Sequence, residues 1–451
     1  MKKLVVVIAV LFVVHSLTAQ KYSKPEWYET FGSINTEVQQ NSKAYATLKY
    51  ATETIGHRLT GSVNGSKAEA YAYNLLKSYG FKNVKYQPFE VESWSRGSLT
   101  VKIGNSLTNL QPVKSVSLAH SPVAADVTLE VVDMGNGLEE DYAKDPSKVE
   151  GKIALVYLGV LPGSKPGTPS LHRSEKTAIA TKFGAKGIIV INTAAGGILL
   201  TGTASVTGKL IPIPAVCISK EDGLAYKELL LKEKQFASIS MTNFSGLIKA
   251  RNVVVTIKGS DLPKEKIVVG GHLDSWDLAT GAIDNGIGSF SVIDIARTFK
   301  ALGLKSKRTI EFVAFMGEEE GLLGSKAYME RAKKTGEVNE IVYMINLDMV
   351  NDVRGFNAGG RDEMLGLLKE IGNKIKSIDP AFANEIHNSA GLHSDHQVFL
   401  MEGIPAADPI GKLSRSVLDC YHANCDVFSL VNKKEMENNV KYTSMLLYAL
   451  G

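Results

Sequence analysis

Acidic and histidine side chains follow apolar runs at three places in the C-terminal half of this 451-residue chain. They are His272 and Asp274 after residues 266–270, Glu318, Glu319 and Glu320 after residues 309–316, and Asp348 after residues 341–347. Two further candidates are Asp284, which lies at a glycine-flanked turn, and His422, which lies near the chain end. Imidazole and carboxylate groups of this kind bind zinc and carry out acid–base catalysis.

These groups indicate a metal site if they meet at one place. Two imidazoles and four or more carboxylates cannot all stay ionised side by side without a compensating cation, because like charges a few ångströms apart raise one another's pKa. Nitrogen and carboxylate ligands suit zinc, and a carboxylate between two ions about 3.5–4 Å apart is typical of two-metal hydrolytic sites. A His-x-Asp or Glu-Glu-Glu motif alone is more often an ordinary loop or a solvated helix start. Glu320 in particular is expected to be a solvated first-turn acid, which the helix dipole favours.

The elements that must bring these groups together are strands and helices that alternate from residue 251 onward. The predicted strands are 252–258, 266–270, 309–316, 341–347 and 404–407, and the predicted helices are 286–302, 322–334, 364–377 and 433–450. This alternation predicts an α/β fold with a largely parallel sheet. The carboxyl ends of parallel strands share one edge, where ligands bind, so three strands would deliver the candidate groups to one place.

Two further regions precede this part of the chain. The segment 66–79 has apolar residues on one helical face and ends at Gly80, which predicts an amphipathic helix followed by strands at 84–91 and 99–103. Between residues 112 and 247, short β-rich runs alternate with stretches rich in Gly, Pro, Ser and Thr. The predicted domains are an N-terminal catalytic part at 20–111, an insert at 112–247 and a C-terminal catalytic part at 248–451.

The composition is that of a soluble globular protein, since 44% of the residues are hydrophobic and 22% are charged. The net charge of +4 and the lack of a basic run argue against a nucleic-acid partner.

Lys2, Lys3 and the apolar run 4–14 predict a signal peptide at 1–19 and export to the periplasm or extracellular space, or to a lysosome-like lumen in a eukaryote. Eleven apolar residues are too few to span a bilayer, which needs about 20, so no stable membrane anchor is expected.

Three cysteines are too few for a disulfide scaffold. Cys217 lies in an apolar, strand-like run, where core packing explains it. Cys420 and Cys425 are five residues apart and form either a small loop disulfide or two free thiols.

Five motifs together resemble a known enzyme family, whereas the His-Glu-x-x-His, Gly-x-Ser-x-Gly and Walker A motifs of other enzyme classes are missing. The five are Gly270–Asp277 (GGHLDSWD), Gly281–Gly286 (GAIDNG), Gly317–Glu319 (GEE), Asn346–Met349 (NLDM) and Tyr421–Asp426 (YHANCD). In order and spacing they resemble the co-catalytic di-zinc exopeptidases, the family of zinc aminopeptidases and glutamate carboxypeptidases, over nearly the whole mature chain. The first motif is most similar to that of the glutamate carboxypeptidases within this family.

The resemblance implies a mixed, mostly parallel sheet flanked by helices, a homodimer, and two zinc ions per subunit. It puts His272 and Asp348 on one ion, Glu319 and His422 on the other, and Asp284 as a bridge between both. This ligand set is an expectation from the family pattern.

The same pattern implies two catalytic roles. Glu318 would be the general base that takes a proton from the attacking water and passes it to the leaving amine. Asp274 would orient His272, a role that histidine ligands usually require.

The insert and one late segment resemble further parts of the family. Residues 182–187 and 211–215 make the insert similar to a protease-associated domain, which is expected to shape access to the cleft rather than to carry the chemistry. The segment 391–396 resembles the family's Ser-Asp-His stretch near the substrate pocket. Tentative substrate contacts are therefore His393, Ser394, Asp395 and Tyr421, with structural support of the metal edge as the alternative for the first three.

The predicted function is a secreted di-zinc exopeptidase that hydrolyses dipeptides or short peptides at a terminus. One alternative is an aminopeptidase that releases N-terminal residues. Another is a receptor-like binding protein that keeps the fold without catalysis, although the intact set of candidate ligands with Glu318 disfavours it.

Overall fold

The computed structural model describes residues 24–451, and the predicted signal peptide at 1–19 lies outside the described residues. The strands are β1 (Lys85–Ser106), β2 (Asn109–Pro112), β3 (Ser115–Ser117), β4 (Ala124–Asp133), β5 (Ile153–Tyr157), β6 (Gly187–Ile191), β7 (Ala215–Ile218), β8 (Gln235–Ile257), β9 (Leu262–His272), β10 (Arg308–Phe315), β11 (Ile341–Asn346), β12 (Gly355–Asn357), β13 (Glu385–His387) and β14 (Asp408–Ile410). The α-helices are α1 (Lys24–Asn41), α2 (Ala44–Tyr50), α3 (Val63–Ser78), α4 (Glu139–Ala143), α5 (Arg173–Lys182), α6 (Lys220–Leu230), α7 (Ile287–Leu302), α8 (Leu323–Thr335), α9 (Asp362–Ile378), α10 (His396–Leu400), α11 (Arg415–Leu418) and α12 (Lys433–Leu450). Within residues 24–451, no helix is both long and apolar enough to cross a bilayer.

Most of the strands join one mixed sheet of eleven strands, which runs through the catalytic part and the insert. Its order is β11-β9-β10-β8-β4-β5-β6-β7-β3, and β1 pairs with both β8 and β2. The short strands β12, β13 and β14 form a second, three-stranded sheet. The mixed α/β architecture predicted from the sequence is therefore confirmed.

The catalytic end of the sheet contains three parallel neighbours, β9, β10 and β11. Val269 and Phe312 pack into the apolar cluster that includes α7 and α12, whereas Val268 and Val313 pack into the cluster that includes α8. Because both faces are covered, these strands read as nearly continuous apolar runs. Their parallel direction brings all three carboxyl ends to one edge, as the sequence predicted.

The strands β1 and β8 form a long antiparallel ribbon that belongs to both parts of the molecule. Their pairing extends from Lys85 opposite Val254 to Gly104 opposite Phe236, with one irregularity between Arg96 and Leu99. The first part of β8 also pairs with β4 of the insert, and its last part pairs with β10 of the catalytic part. The chain thus enters and leaves the insert on two neighbouring strands.

Inside the insert, β4, β5, β6 and β7 are parallel neighbours. Ile188 and Val190 on β6 face one apolar cluster, beneath α5, and Ile189 and Ile191 face the other, beneath α6. The insert therefore has its own core on both faces of its part of the sheet.

Most elements lie where the sequence predicted them, and one predicted strand is wrong. Residues 404–407 make only an isolated bridge, between Met344 and Ala406, and the strand β14 begins later. Pro405 has no backbone N–H to donate, which shortens the pairing at this position. The predicted strands 84–91 and 99–103 are one continuous strand, β1.

Candidate metal centre

Five of the predicted site residues meet at the carboxyl edge of β9, β10 and β11. His272 is the last residue of β9, Glu319 lies in the turn after β10, and Asp348 follows β11. Asp284 comes from the irregular turn before α7, and His422 comes from a loop near the chain end. The order of the parallel strands therefore explains how residues far apart in sequence come together.

The two carboxylate oxygens of Asp284 face the two imidazoles. His272 Nε2 lies 3.2 Å from Asp284 Oδ1 and 3.3 Å from Asp348 Oδ1. His422 Nε2 lies 3.0 Å from Asp284 Oδ2 and 2.9 Å from Glu319 Oε2. The site therefore has two halves, each with one imidazole and one separate carboxylate, and Asp284 between them.

This donor set fits zinc. Ligand atoms of His272, Asp284 and Glu319 lie within 4.8 Å of one another. Glu319 Oε1 and Asp348 Oδ1 are buried without a hydrogen-bond donor. Buried oxygens of this kind need a partner, and nitrogen and oxygen donors at this spacing suit a divalent metal.

The electrostatics of the site favour a cation for the same reason. Burial raises the pKa of Glu319 to about 7, and burial together with the Asp348 charge holds the pKa of Glu318 well above its usual range. Burial alone would lower the pKa of His422, but the charge of Glu319 and the hydrogen bond to Asp284 raise it. Several acids and imidazoles thus compete for protons in one small volume, a situation that a bound divalent cation relieves.

Asp274 connects His272 to the turn that carries the two glutamates. Its side chain is fully buried, and its Oδ1 lies 3.6 Å from His272 Nδ1. The closer partner of that nitrogen is the Asp274 backbone oxygen, at 3.1 Å. The carboxylate also accepts hydrogen bonds from the backbone N–H groups of Glu318 and Glu319 and from the Thr60 hydroxyl. Asp274 therefore contacts a candidate ligand most closely through its backbone oxygen, and its carboxylate holds the turn that carries Glu318 and Glu319.

Two residues that the sequence analysis did not single out hold the turn around Asp284. Asp426 accepts hydrogen bonds from the backbone N–H groups of Ile283 and Asp284, at 2.7 and 3.0 Å. The buried Arg58 guanidinium donates to the backbone oxygens of Leu273, Thr280 and Gly281. Asp426 lies in the same sequence motif as His422, and this motif could have pointed to a role at the site. Arg58 lies in none of the five motifs, so the sequence did not indicate its role.

A cavity of about 610 Å³ opens onto the metal edge. Its lining includes Glu318, Asp348, His393 and Tyr421, and from the insert it includes His172 and Arg173. Tyr421 stacks on His422 with ring centroids 3.8 Å apart. The insert therefore forms one wall of the cavity.

The four tentative substrate residues separate into two groups. His393 and Tyr421 line the 610 Å³ cavity, whereas Ser394 and Asp395 do not. Ser394 accepts a hydrogen bond from Asn346 Nδ2 at 2.8 Å and lines a neighbouring cavity of about 220 Å³. Asp395 is fully buried.

Arg173, from the insert, was not anticipated by the sequence analysis. It is the first residue of α5 and only 3% exposed. Its Nη2 donates to His422 Nδ1 at 2.9 Å, and its Nε has no hydrogen-bond partner. Among residues 24–451 no carboxylate lies within ion-pair distance of this guanidinium, although burial lowers its pKa and the charges of Glu319 and Asp284 oppose that lowering. A buried cation without an anionic partner is costly, which makes this guanidinium a candidate for binding an anionic group of a ligand.

The expectation that Glu320 is a solvated first-turn acid is wrong. The helix α8 begins only at Leu323, after Gly321 and Leu322 in left-handed conformations. Glu320 is 1% exposed, and its Oε1 accepts a weak hydrogen bond from the Trp94 backbone at 3.5 Å. Burial raises the pKa of Glu320 well above its usual range.

Cys420 and Cys425 form a disulfide, which decides between the two alternatives left open by the sequence. Cys217 is a free, buried thiol, as core packing predicted.

Comparisons with known proteins identify the family of the chain. Residues 252–447 match the model of Peptidase family M28, and residues 125–226 match that of the PA domain. Carboxypeptidase Q from Bos taurus is 25% identical over 414 residues, which cover 91% of this chain and 85% of that protein. Aminopeptidase YwaD from Bacillus subtilis (strain 168) is 31% identical over 314 residues, which cover 68% of this chain and 61% of that protein. The crystal structure of a Peptidase M28 precursor from Shewanella amazonensis SB2B shares the fold, with a TM-score of 0.81 at 23% identity, 94% of this chain and 97% of that one being covered.

The fold, the donor set and these relatives define the chain as a zinc-dependent exopeptidase that acts on peptides. It belongs to peptidase family M28 and carries a PA domain. The family resemblance inferred from the five motifs is therefore confirmed.

Proposed function

We propose that this chain is a di-zinc carboxypeptidase or dipeptidase. In this proposal His272 and Asp348 hold one zinc, Glu319 and His422 hold the other, and Asp284 bridges the two. The two-halved arrangement of imidazoles around the Asp284 carboxylate supports this assignment.

The chemistry follows from the groups around the cavity. Bound zinc would supply a water of lowered pKa and would polarise the scissile carbonyl. Glu318 lines the cavity, with its Oε2 3.9 Å from His272 Nε2. This oxygen takes the proton from the attacking water and passes it to the leaving nitrogen. Asp274 keeps His272 and the Glu318 turn in place while this happens.

One observation carries the preference for a free C-terminus, namely the Arg173 guanidinium in the cavity wall, which binds His422 Nδ1 but has no carboxylate partner and leaves its Nε without a hydrogen bond. A peptide's terminal carboxylate would give this buried cation the anionic partner that it lacks. A second cavity of about 430 Å³ shares His172, Arg173 and Tyr421 with the first and gives room for the C-terminal residue. An aminopeptidase would need a carboxylate for the free amine at the equivalent position.

A panel of dipeptides tests this specificity. The enzyme should hydrolyse an N-acetylated dipeptide with a free carboxylate and should be slow on the C-amidated, free-amine analogue. Arg173→Met should raise KM for the free-carboxylate substrate about 10–100-fold, since hydrogen bonds to charged groups contribute about 1.5–3 kcal/mol. Arg173→Lys, which keeps the charge, should recover part of this loss.

The opposite pattern would identify an aminopeptidase. Hydrolysis of the amidated dipeptide together with rejection of the N-acetylated one would reject the carboxypeptidase proposal. It would leave the assignment of the two metal ions untouched.

The remaining features of the proposal concern the whole chain. We propose the domain division 20–111, 112–247 and 248–451, export by the leader at 1–19, and a homodimer, which the family resemblance implies. N-terminal sequencing of the exported protein and sedimentation velocity test the last two.

A further inference from the structure

His422 lies in a loop whose conformation requires support from outside. Its backbone φ is +53°, in the left-handed region that residues other than glycine rarely adopt. Such a conformation persists only where surrounding contacts hold it. One constraint is the disulfide between Cys420 and Cys425, which closes the loop on both sides of His422.

The other constraint comes from the insert. The backbone N–H of Thr201 donates to the His422 carbonyl oxygen at 2.8 Å, and the Asn424 N–H donates to Leu199 O at 3.3 Å. Between these bonds, Leu200 and Ala423 form an antiparallel bridge. The segment 199–201 of the insert is thus paired, like a short strand, with the loop that carries a candidate zinc ligand.

Arg96 links this segment to strand β3 and to the end of the Gly270–Asp277 motif through hydrogen bonds. Its Nη2 donates to Thr201 Oγ1 at 2.9 Å, and its Nη1 donates to Ser117 O at 2.7 Å. Its Nε and Nη2 also form a two-point ion pair with Asp277, at 2.6 and 2.7 Å. Asp277 is the last residue of the motif that begins with Gly270 and contains His272. One guanidinium therefore joins the insert segment to the catalytic strand end.

We propose that Arg96 is a positioning residue for the metal centre. Through segment 199–201, and together with the disulfide, it holds His422 where that imidazole can bind zinc. The PA insert is then a structural part of one half of the metal site, in addition to being a wall of the cavity. This inference rests on the proposed assignment of two zinc ions, with His422 on one of them.

Zinc titration of the metal-free protein tests the role of Arg96. Wild type should bind two zinc ions, with two measurable dissociation constants. In Arg96→Met, one of these constants should rise about 10–100-fold, the usual effect of losing an outer contact to a metal ligand, and the other should stay unchanged. His422→Ala should abolish the same equilibrium. Arg96→Lys, which cannot reach three partners with one rigid fork, should recover only part of the affinity.

Arg251→Met is the matched control. Arg251 lies on the same ribbon and forms an ion pair with the buried Glu69 at 2.6 Å, away from His422. This variant should lose stability while keeping both zinc constants. A second perturbation, Cys420→Ser with Cys425→Ser, leaves Arg96 intact and should weaken the same zinc site as Arg96→Met.

The number of zinc ions bound by wild type distinguishes a failure of the proposed function from a failure of the Arg96 inference. Wild type that binds fewer than two zinc ions would reject the two-zinc assignment itself. Wild type that binds two, with both constants unchanged in folded Arg96→Met and in the double serine variant, would overturn the positioning role. Equal weakening of both sites in Arg96→Met would also overturn it, since that indicates general loosening of the fold.

Discussion

The two candidate histidine ligands are held in place by different means. His272 ends a buried parallel strand, and its neighbours Asp274 and Glu318 come from the same edge of the catalytic sheet. His422 lies in a disulfide-closed loop with a left-handed backbone, and the insert contacts its carbonyl oxygen and its ring. The imidazole of one half is therefore placed by the sheet, and the imidazole of the other half by contacts between distant segments.

This difference implies different sensitivities. Changes to the strand-end residues should act on the chemistry and on the His272 half. Changes to the insert or the disulfide should act on the His422 half.

The largest effect is expected for Glu318→Gln. The amide cannot accept the proton from the attacking water, so kcat should fall about 10²–10⁴-fold, the usual contribution of a general base. Both zinc constants should stay within a few-fold of wild type. Steady-state rates on a dipeptide and zinc titration measure the two quantities; undiminished turnover would remove Glu318 from the mechanism.

The next effect is expected for Asp274→Asn. The amide keeps the size of the side chain but cannot accept hydrogen bonds at both oxygens, so the contacts with His272 and the Glu318 turn weaken. We expect a 10–100-fold rise in one zinc dissociation constant. The larger rise should be in the constant that Arg96→Met leaves unchanged, with a smaller rise in the other, because Asp274 also accepts a hydrogen bond from the Glu319 backbone. If both variants mainly weakened the same constant, the two halves would not be separable.

The smallest effect is expected for a matched pair of threonine variants. The Thr60 hydroxyl donates to Asp274, and the Thr201 hydroxyl accepts from Arg96. Thr60→Val and Thr201→Val each remove about one hydrogen bond, worth ~1 kcal/mol, or about fivefold in zinc affinity. Each should change mainly the constant of its own half in zinc titration. The two single effects should add in the double variant, because the two hydroxyls share no hydrogen-bond partner.

The ligands that follow strand ends could be predicted from the sequence, in both halves of the site. His272, Glu319 and Asp348 each follow an apolar run, and parallel strands bring such positions to one edge whatever the details of packing. The disulfide, in contrast, stayed one of two alternatives, since five-residue spacing permits it without requiring it.

The contacts that the insert makes with the His422 half could not be predicted in this way. Arg96 and Arg173 lie far from any motif, and their roles depend on how the insert packs against the catalytic part. Glu320 was predicted wrongly for a related reason. A local rule gave it the first turn of a helix, but Gly321 and Leu322 delay the helix start and the side chain packs beside Trp94.

The continuous ribbon of β1 and β8 has a mechanical consequence. Domains joined by flexible linkers can swing, but here two hydrogen-bonded strands cross from one part to the other without a break in β8. Bending of the ribbon should concentrate at the irregularity between Arg96 and Leu99. At this position Arg96 binds Asp277 of the catalytic part and Ser117 of the insert, which restrains such bending. The insert and the catalytic sheet should therefore move together as one rigid unit. Peptides would then enter by movement of cavity side chains and loops rather than by opening of two lobes.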